Sequence, residues 1–187
     1  MDRINPYEWI GYIWIVVLAA WILTSFWSKK TIRKQSRGSR LGQIGLGVLA
    51  GVLLSGRIWK GPQLIPQNAE TGWVGLALTL AGVALALWAR FVLGRNWSGT
   101  VTVKHNHELV RGGPYRVVRH PIYSGFLLAL LGTAVATGTA CAFAGLVLAA
   151  VALRLKSLTE EQFMTEEFGA QYLEYKRETR ALIPLLW

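Results

Sequence analysis

Apolar residues in this chain come in long unbroken blocks rather than in alternation with polar ones. The run "WIGYIWIVVLAAWILTSFW", from Trp9 to Trp27, holds about 19 residues without a charge, the length a helix needs to cross a bilayer. Four further blocks follow at about 41–55, 71–93, 122–137 and 139–155. The last two are nearly continuous, and one straight helix through both would overshoot the bilayer. A helical hairpin turning in "ATGTA", Ala136 to Ala140, is therefore expected. Gly132, Gly138 and Gly145, among many alanines, predict close approach of these helices. "GPQLIPQN", Gly61 to Asn68, reads as a connecting loop. The tail from Ser157 reads as a helix interrupted near Gly169, with Leu158, Phe163, Phe168, Tyr172 and Tyr175 offering an apolar side. Pro184, Leu185, Leu186 and Trp187 are expected to return to the membrane interface. The predicted fold is all-α: a polytopic integral membrane protein with about five transmembrane helices and cytosolic C-terminal helices.

Charge adds orientation to this pattern. Apolar residues make up 52% of the chain and charged ones 16%, with a net charge of +10, and the positive charge is not spread evenly. "SKKTIRKQSRGSR", Ser28 to Arg40, carries Lys29, Lys30, Arg33, Lys34, Arg37 and Arg40 and no acid. By the positive-inside rule this loop stays in the cytoplasm. The N-terminus, residues 57–70 and the hairpin apex are then outside, and residues 94–121 and the C-terminus are inside. No aromatic residues interleave with the basic ones, so the charge points to membrane lipids and topology rather than nucleic acid. The first span is too long for a cleavable signal peptide and lacks a basic segment before it. A lone cysteine, Cys141, sits in an apolar run as a buried thiol. No obligate protein partner is evident. The expected location is the cytoplasmic (inner) membrane of a prokaryote or the endoplasmic reticulum of a eukaryote.

Chemistry concentrates in "RGGPYRVVRHPIYSG", residues 111–125. Gly112, Gly113 and Pro114 make a turn, and Pro121 suits the first position of a helix, which puts His120 at the N-cap. The free N–H groups of that helix start, with Arg119, predict a site for an anionic group. Tyr123 returns to a neighbouring face three residues on. Lys156 and Glu160, four apart, share a face of the last span and can pair with each other or with a ligand. His105, His107 and His120 have no carboxylate or Cys at ligand spacing, so no metal is expected. No Walker loop, G-x-G-x-x-G or nucleophile elbow occurs.

Three segments, "LGRNWSG" at 93–99, "HELVRGGPYRVVRHPIYSG" at 107–125 and "EEQFMTEEFGAQYLEYKRETRALIP" at 160–184, together resemble the isoprenylcysteine carboxyl methyltransferase family, within the broader group that includes phospholipid methyltransferases. The resemblance covers about residues 88–187. It implies a membrane enzyme that uses S-adenosylmethionine, releases S-adenosylhomocysteine and binds the cofactor in a cytosolic pocket. His107, Glu108, Leu109 and Val110 match the family's cofactor-contacting "H-x-L-V" segment, Tyr115 its "G-x-Y" tyrosine, and His120, Pro121, Ile122 and Tyr123 its "R-H-P-x-Y". Glu160 matches the first of its paired glutamates. Where eukaryotic members place a substrate-binding arginine four residues earlier, this chain has Lys156, with Arg154 on a different face. The acceptor implied is a lipophilic small molecule or prenylated carboxylate, oriented by Arg154 or Lys156. A carboxylate needs no base, whereas an amine or thiol would call on His120 or Glu160. Residues 1–70 are expected to form an N-terminal part, with two spans and the basic loop, and residues 71–187 the methyltransferase core. A phospholipid-amine or thiol methyltransferase, a steroid-reductase-like enzyme and a non-catalytic scaffold or transporter are the alternatives.

Overall fold

The computed structural model describes residues 5–26, 31–34, 37–56, 58, 61–97, 102–104 and 108–183. Among these, six α-helices follow the apolar blocks and the tail: α1 (Pro6–Ser25), α2 (Arg37–Ser55), α3 (Ala69–Leu93), α4 (Pro121–Thr137), α5 (Ala140–Phe168) and α6 (Ala170–Glu178). Helices α1, α3 and α5 are long and apolar enough to cross a membrane, while α2 and α4 are shorter apolar helices. Ile15, Leu23, Phe91 and Val147 point outward with 63% to 75% of their surface exposed. Side chains of that kind on the outside are solvated by lipid, so the chain is an integral membrane protein.

Local chemistry sets the helix ends. Asn68 and Thr71 exchange side-chain and backbone hydrogen bonds of 2.9 and 3.1 Å at the start of α3, closing a capping box. Gly138, with φ of +70°, ends α4, and the Thr139 hydroxyl caps α5, so the hairpin turns within the expected five residues. No glycine or proline occurs between Gly145 and Gly169, and α5 accordingly absorbs both the fifth apolar block and the first part of the tail. At 29 residues it is about 44 Å long, against a hydrocarbon layer of about 30 Å. The helix is thus about 14 Å longer than such a layer, and its charged residues all fall in its second half, from Arg154 on.

One feature departs from the all-α expectation. Strand β1 (Thr31–Lys34) pairs antiparallel with β2 (Thr102–Lys104), tying the basic loop after α1 to the segment before α4. Thr-Ile and Thr-Val favour extended backbone, and the ladder satisfies peptide groups that no helix accommodates there. Pro184 to Trp187 lie outside the described residues, so their return to the interface is not seen.

The polar segments sort into two ends of the bundle. Tyr7 donates to the Asn68 carbonyl, Leu64 N–H to Gly138 and Ala140 N–H to Pro62, so the start of α1, the 61–68 loop and the hairpin apex share one end. At the other end the β ladder, residues 108–120 and α6 gather around the extension of α5.

Glycines set the spacing at the centre. Helices α3 and α4 run antiparallel with Gly75 against Gly132 and Ala136, and Gly82 against Gly125 and Ala129. A Cβ on Gly82 would lie 2.3 Å from the Ala129 backbone nitrogen, and one on Gly132 2.4 Å from the Gly75 carbonyl oxygen. Between these contacts Thr79, fully buried, donates to the Gly75 carbonyl at 2.8 Å and lies 3.2 Å from that of Ala129. Gly145 lets α5 approach α2 in the same way, so Gly132 and Gly145 serve contacts with α3 and α2 rather than the expected approach of α4 and α5 to each other. Gly82→Val should therefore cost on the order of 1–3 kcal/mol or more through forced separation of the helices. Gly47→Ala, with no atom within 4 Å of its new Cβ, should be neutral or stabilising by up to about 1 kcal/mol. Thermal unfolding of the detergent-purified variants checks this, and equal effects at the two positions would contradict a close-packed seam.

Candidate functional site

At the end of the bundle that carries the β ladder, a cavity of about 380 Å³ opens among five helices and the segment that precedes α4. Helix α5 turns Leu153, Lys156, Glu160 and Met164 toward it, spacings of three, four and four that make one helical stripe. Helix α4 contributes Ile122, Tyr123 and Phe126, and α6 contributes Tyr172 and Tyr175. Trp21 of α1 closes one side, with Leu93, Asn96 and Trp97 from the end of α3 and the turn that follows. The segment before α4 adds Glu108, Leu109, Val110, Tyr115, Arg119 and His120.

Most residues singled out by sequence thus converge on one space. Pro121 does not line it but is fully buried at the first turn of α4, fixing the chain direction beside His120. Arg154 points elsewhere, with Nη1 3.3 Å from the Ser157 hydroxyl on its own helix, and is not part of the lining. His107 lies outside the described residues. The aromatic wall of Trp21, Trp97 and Phe126 and the α6 tyrosines were not singled out as site residues. The α5 stripe and the Tyr172–Tyr175 spacing carried a periodic signal, whereas Trp21 and Phe126 meet only through tertiary packing.

Charge is organised around two adjacent glutamates. His120 places Nδ1 3.4 Å from Glu160 and Nε2 3.4 Å from Glu161. The second contact is an ion-pair distance rather than an aligned hydrogen bond, since Nε2 has no hydrogen-bond partner. Tyr123 donates to Glu160 at 2.5 Å and stacks on the His120 ring with 5.4 Å between centroids. Lys156 holds its ammonium 5.3 Å from the centre of the Tyr123 ring. Glu161, only 5% exposed, is met at 2.9 Å by both Arg119 Nε and Lys176 Nζ. Arg119 also donates to the carbonyls of Lys176 and Thr179. The anionic groups at the start of α4 are therefore the protein's own glutamates, and Arg119 braces α6 as well as edging the cavity.

These contacts shift the titration of the imidazole. Burial by itself pushes the His120 pKa down, but hydrogen bonding to Glu160 and the negative charges of Glu160 and Glu161 outweigh it and hold the pKa above the usual imidazole value.

Backbone contacts hold the walls in place. Tyr175 donates to the Tyr115 carbonyl at 2.7 Å, and Arg111 reaches the Gln171 carbonyl and Glu174. Residues 179–182 lie along the start of α4, with Arg119 N–H donating to Arg180 at 2.8 Å and His120 N–H to Ala181 at 3.0 Å. Leu182 is fully buried beneath the site. Arg90, buried in α3, donates at 2.8 Å both to Gly94 and to Thr24 and stacks over Trp97, anchoring the end of α1 to the aromatic wall.

Known proteins share this arrangement of sequence and fold. Protein-S-isoprenylcysteine O-methyltransferase A of Arabidopsis thaliana is 34% identical over 131 residues, 66% of each chain, so the present chain spans just under two thirds of that relative. Methanethiol S-methyltransferase 2 of Bradyrhizobium diazoefficiens is 42% identical over 74 residues, 39% of this chain and 27% of that protein. The structure of the eukaryotic intramembrane Ras methyltransferase ICMT, isoprenylcysteine carboxyl methyltransferase, matches with a TM-score of 0.63 at 19% identity, covering 99% of this chain and 70% of that one. The fold is therefore shared along the whole chain, including the N-terminal helices in which the sequence carries no recognisable motif. The family description "phospholipid methyltransferase" matches residues 71–171, more than half of the 187 residues and the greater part of the site, and the chain belongs to the phospholipid methyltransferase family.

Proposed function

We propose that the protein is a membrane methyltransferase that uses S-adenosylmethionine to methylate the carboxylate of a lipophilic, isoprenylcysteine-like acceptor. The observation that carries this reading is the two-ended cavity, with Glu160, His120, Tyr123 and Lys156 at a polar head and Trp21, Phe126 and Leu153 at an apolar throat. Such a lining suits a reaction between a charged cofactor and a greasy acceptor. Family membership and the names of the relatives add support.

The lining also fits the cofactor. A sulfonium cation is favoured by a carboxylate and by aromatic faces, and Glu160, Tyr172, Tyr175 and Trp97 supply both. Asn96 Oδ1 is buried without a hydrogen-bond partner, an acceptor left open for a ligand N–H or O–H. Glu108, Leu109, Val110, Tyr115, His120, Tyr123 and Glu160 are the residues that would hold the cofactor. When bound, S-adenosylmethionine supplies an electrophilic methyl group on a positively charged sulfur.

The chain's own contribution is positioning. Lys156 carries a point charge on the cavity wall and orients the acceptor carboxylate, a role Arg154 is turned away from. The imidazole, set between two carboxylates and shifted toward its protonated form, is a poor base at neutral pH. A carboxylate nucleophile needs none, which favours it over an amine or thiol. A thiol acceptor is the second reading, supported by the Bradyrhizobium relative, and it would call for a proton to be removed. For the membrane arrangement we propose that α1 to α5 all cross the bilayer, with the N-terminus outside and the catalytic end in the cytoplasm, in the inner membrane or endoplasmic reticulum. The sorting of polar segments to two ends supports this arrangement.

Three outcomes are expected. Calorimetric titration of S-adenosylhomocysteine into detergent-purified protein should give saturable binding that Glu160→Ala and His120→Ala each weaken roughly tenfold or more, the loss of about 1.5 kcal/mol expected for a charge-assisted contact. Absence of binding to folded wild-type protein would overturn the cofactor assignment. Lys156→Ala should raise the KM for an S-prenylated cysteine roughly tenfold with S-adenosylhomocysteine affinity unchanged, a split that initial-rate kinetics resolves. Because folding raises the His120 pKa, the stabilisation it brings is complete below the ordinary imidazole value of about 6.5 and is lost as pH rises through the folded value. Thermal stability should fall across that window more steeply in wild type than in His120→Gln, and parallel curves would contradict the pairing.

A further inference from the structure

A second cavity, of about 820 Å³, lies nearer the opposite end of the bundle, lined by Ile10 and Trp14 of α1, Leu54 of α2, and Leu130, Thr133 and Thr137 of α4. Its lining on α4 continues that of the first cavity. Ile122 and Phe126 face the first, and Leu130, Thr133 and Thr137 the second, a run of spacings of four, four, three and four that marks one face of the helix. Along α1, Trp21 faces the first cavity, and Trp14, two turns away, faces the second. One groove about 22 Å long, from Ile122 to Thr137 at 1.5 Å per residue, thus runs from the polar head toward the far end of the bundle.

An aromatic cluster stands between the two parts of this groove. Phe126 packs against Trp21 with 4.9 Å between ring centroids and stacks on Trp14 at 6.4 Å and 18°. Trp14 is fixed by its indole N–H, which donates to the Thr133 hydroxyl at 3.0 Å, and Thr133 in turn donates to the Ala129 carbonyl. Val17, Val83 and Ala129 pack behind these rings. The partition is therefore a braced wall.

We infer that the Trp14–Phe126–Trp21 partition sets the length of hydrocarbon chain that the acceptor can carry. This inference rests on the proposed lipophilic acceptor and names the residues that determine its specificity. With the polar head of the acceptor at Lys156 and Glu160, its chain runs along the α4 face past Ile122 and ends at Phe126. The second cavity is the space the chain would enter were the wall removed.

The test uses detergent-purified protein and N-acetylcysteine carrying S-geranyl, S-farnesyl or S-geranylgeranyl chains as methyl acceptors, with wild type, Phe126→Ala and Trp14→Ala compared. A cooperative thermal unfolding transition and saturable S-adenosylhomocysteine binding in each of the three show that each is folded. Wild type should show a drop in kcat/KM beyond one chain length, and both variants should shift that limit to the next longer chain by about tenfold, read as the ratio of kcat/KM between adjacent lengths. A wild-type enzyme that methylates these acceptors, with variants whose chain-length profile is unchanged, would overturn the partition while leaving the proposed activity intact. Wild type that binds S-adenosylhomocysteine but methylates none of the three would overturn the acceptor class and the partition with it.

Discussion

The end of the bundle that holds the first cavity is organised around one buried carboxylate. Glu161 is contacted by Arg119 from the segment before α4, by Lys176 from α6 and by His120 at the mouth of α4. It therefore ties α5 to both α6 and the segment that leads into α4 through the two oxygens of one side chain. A buried charge of this kind is tolerated only because it is fully surrounded by partners, and losing one partner of such a set costs roughly 3–5 kcal/mol. The same cluster orients the imidazole that reaches Glu160, so the strength of the brace and the geometry of the cavity head are one property.

The glycine seam plays the corresponding part inside the bundle. With no Cβ at Gly75, Gly82, Gly125 and Gly132, α3 and α4 meet backbone to backbone, and van der Waals packing replaces the hydrophobic effect that lipid cannot supply. The tight pair leaves the remaining helices to pack around it, with the two cavities along the outward side of α4. Small residues at the centre are thus the reason that there is room beside them.

Much of this was legible in the sequence. Block lengths gave the helices, Gly138 and Thr139 the hairpin, Gly169 the break, and Pro121 the start of α4 with His120 at its mouth. The segment 108–123 together with Lys156 and Glu160 was recognisable as one site because motif order and helical spacing are local properties. Glu161 was passed over for its neighbour, since adjacent carboxylates look alike until the fold turns one toward Arg119 and Lys176 and the other toward Tyr123. Spacing put Arg154 and Lys156 on different faces without saying which face meets the cavity; the phase of α5 in the fold decides it. Trp21, Phe126 and the pairing of β1 with β2 join residues about 70 to 105 positions apart, and no periodicity within either segment announces such a meeting.

The unbroken course of α5 has an evolutionary corollary. Leu153, Lys156, Glu160 and Met164 form a single stripe because each residue turns the helix by about 100°, the rotation of 3.6 residues per turn. A side chain on that stripe can be exchanged and its neighbours stay where they are. A single inserted or deleted residue between Leu153 and Glu160 would instead rotate the apolar throat away from the polar head and leave the two ends of the cavity on different faces. Helix α5 is accordingly free to diverge in residue type along its lipid-facing side but not in length, and descendants of this chain would be expected to vary in length at their loops and termini long before they do so here.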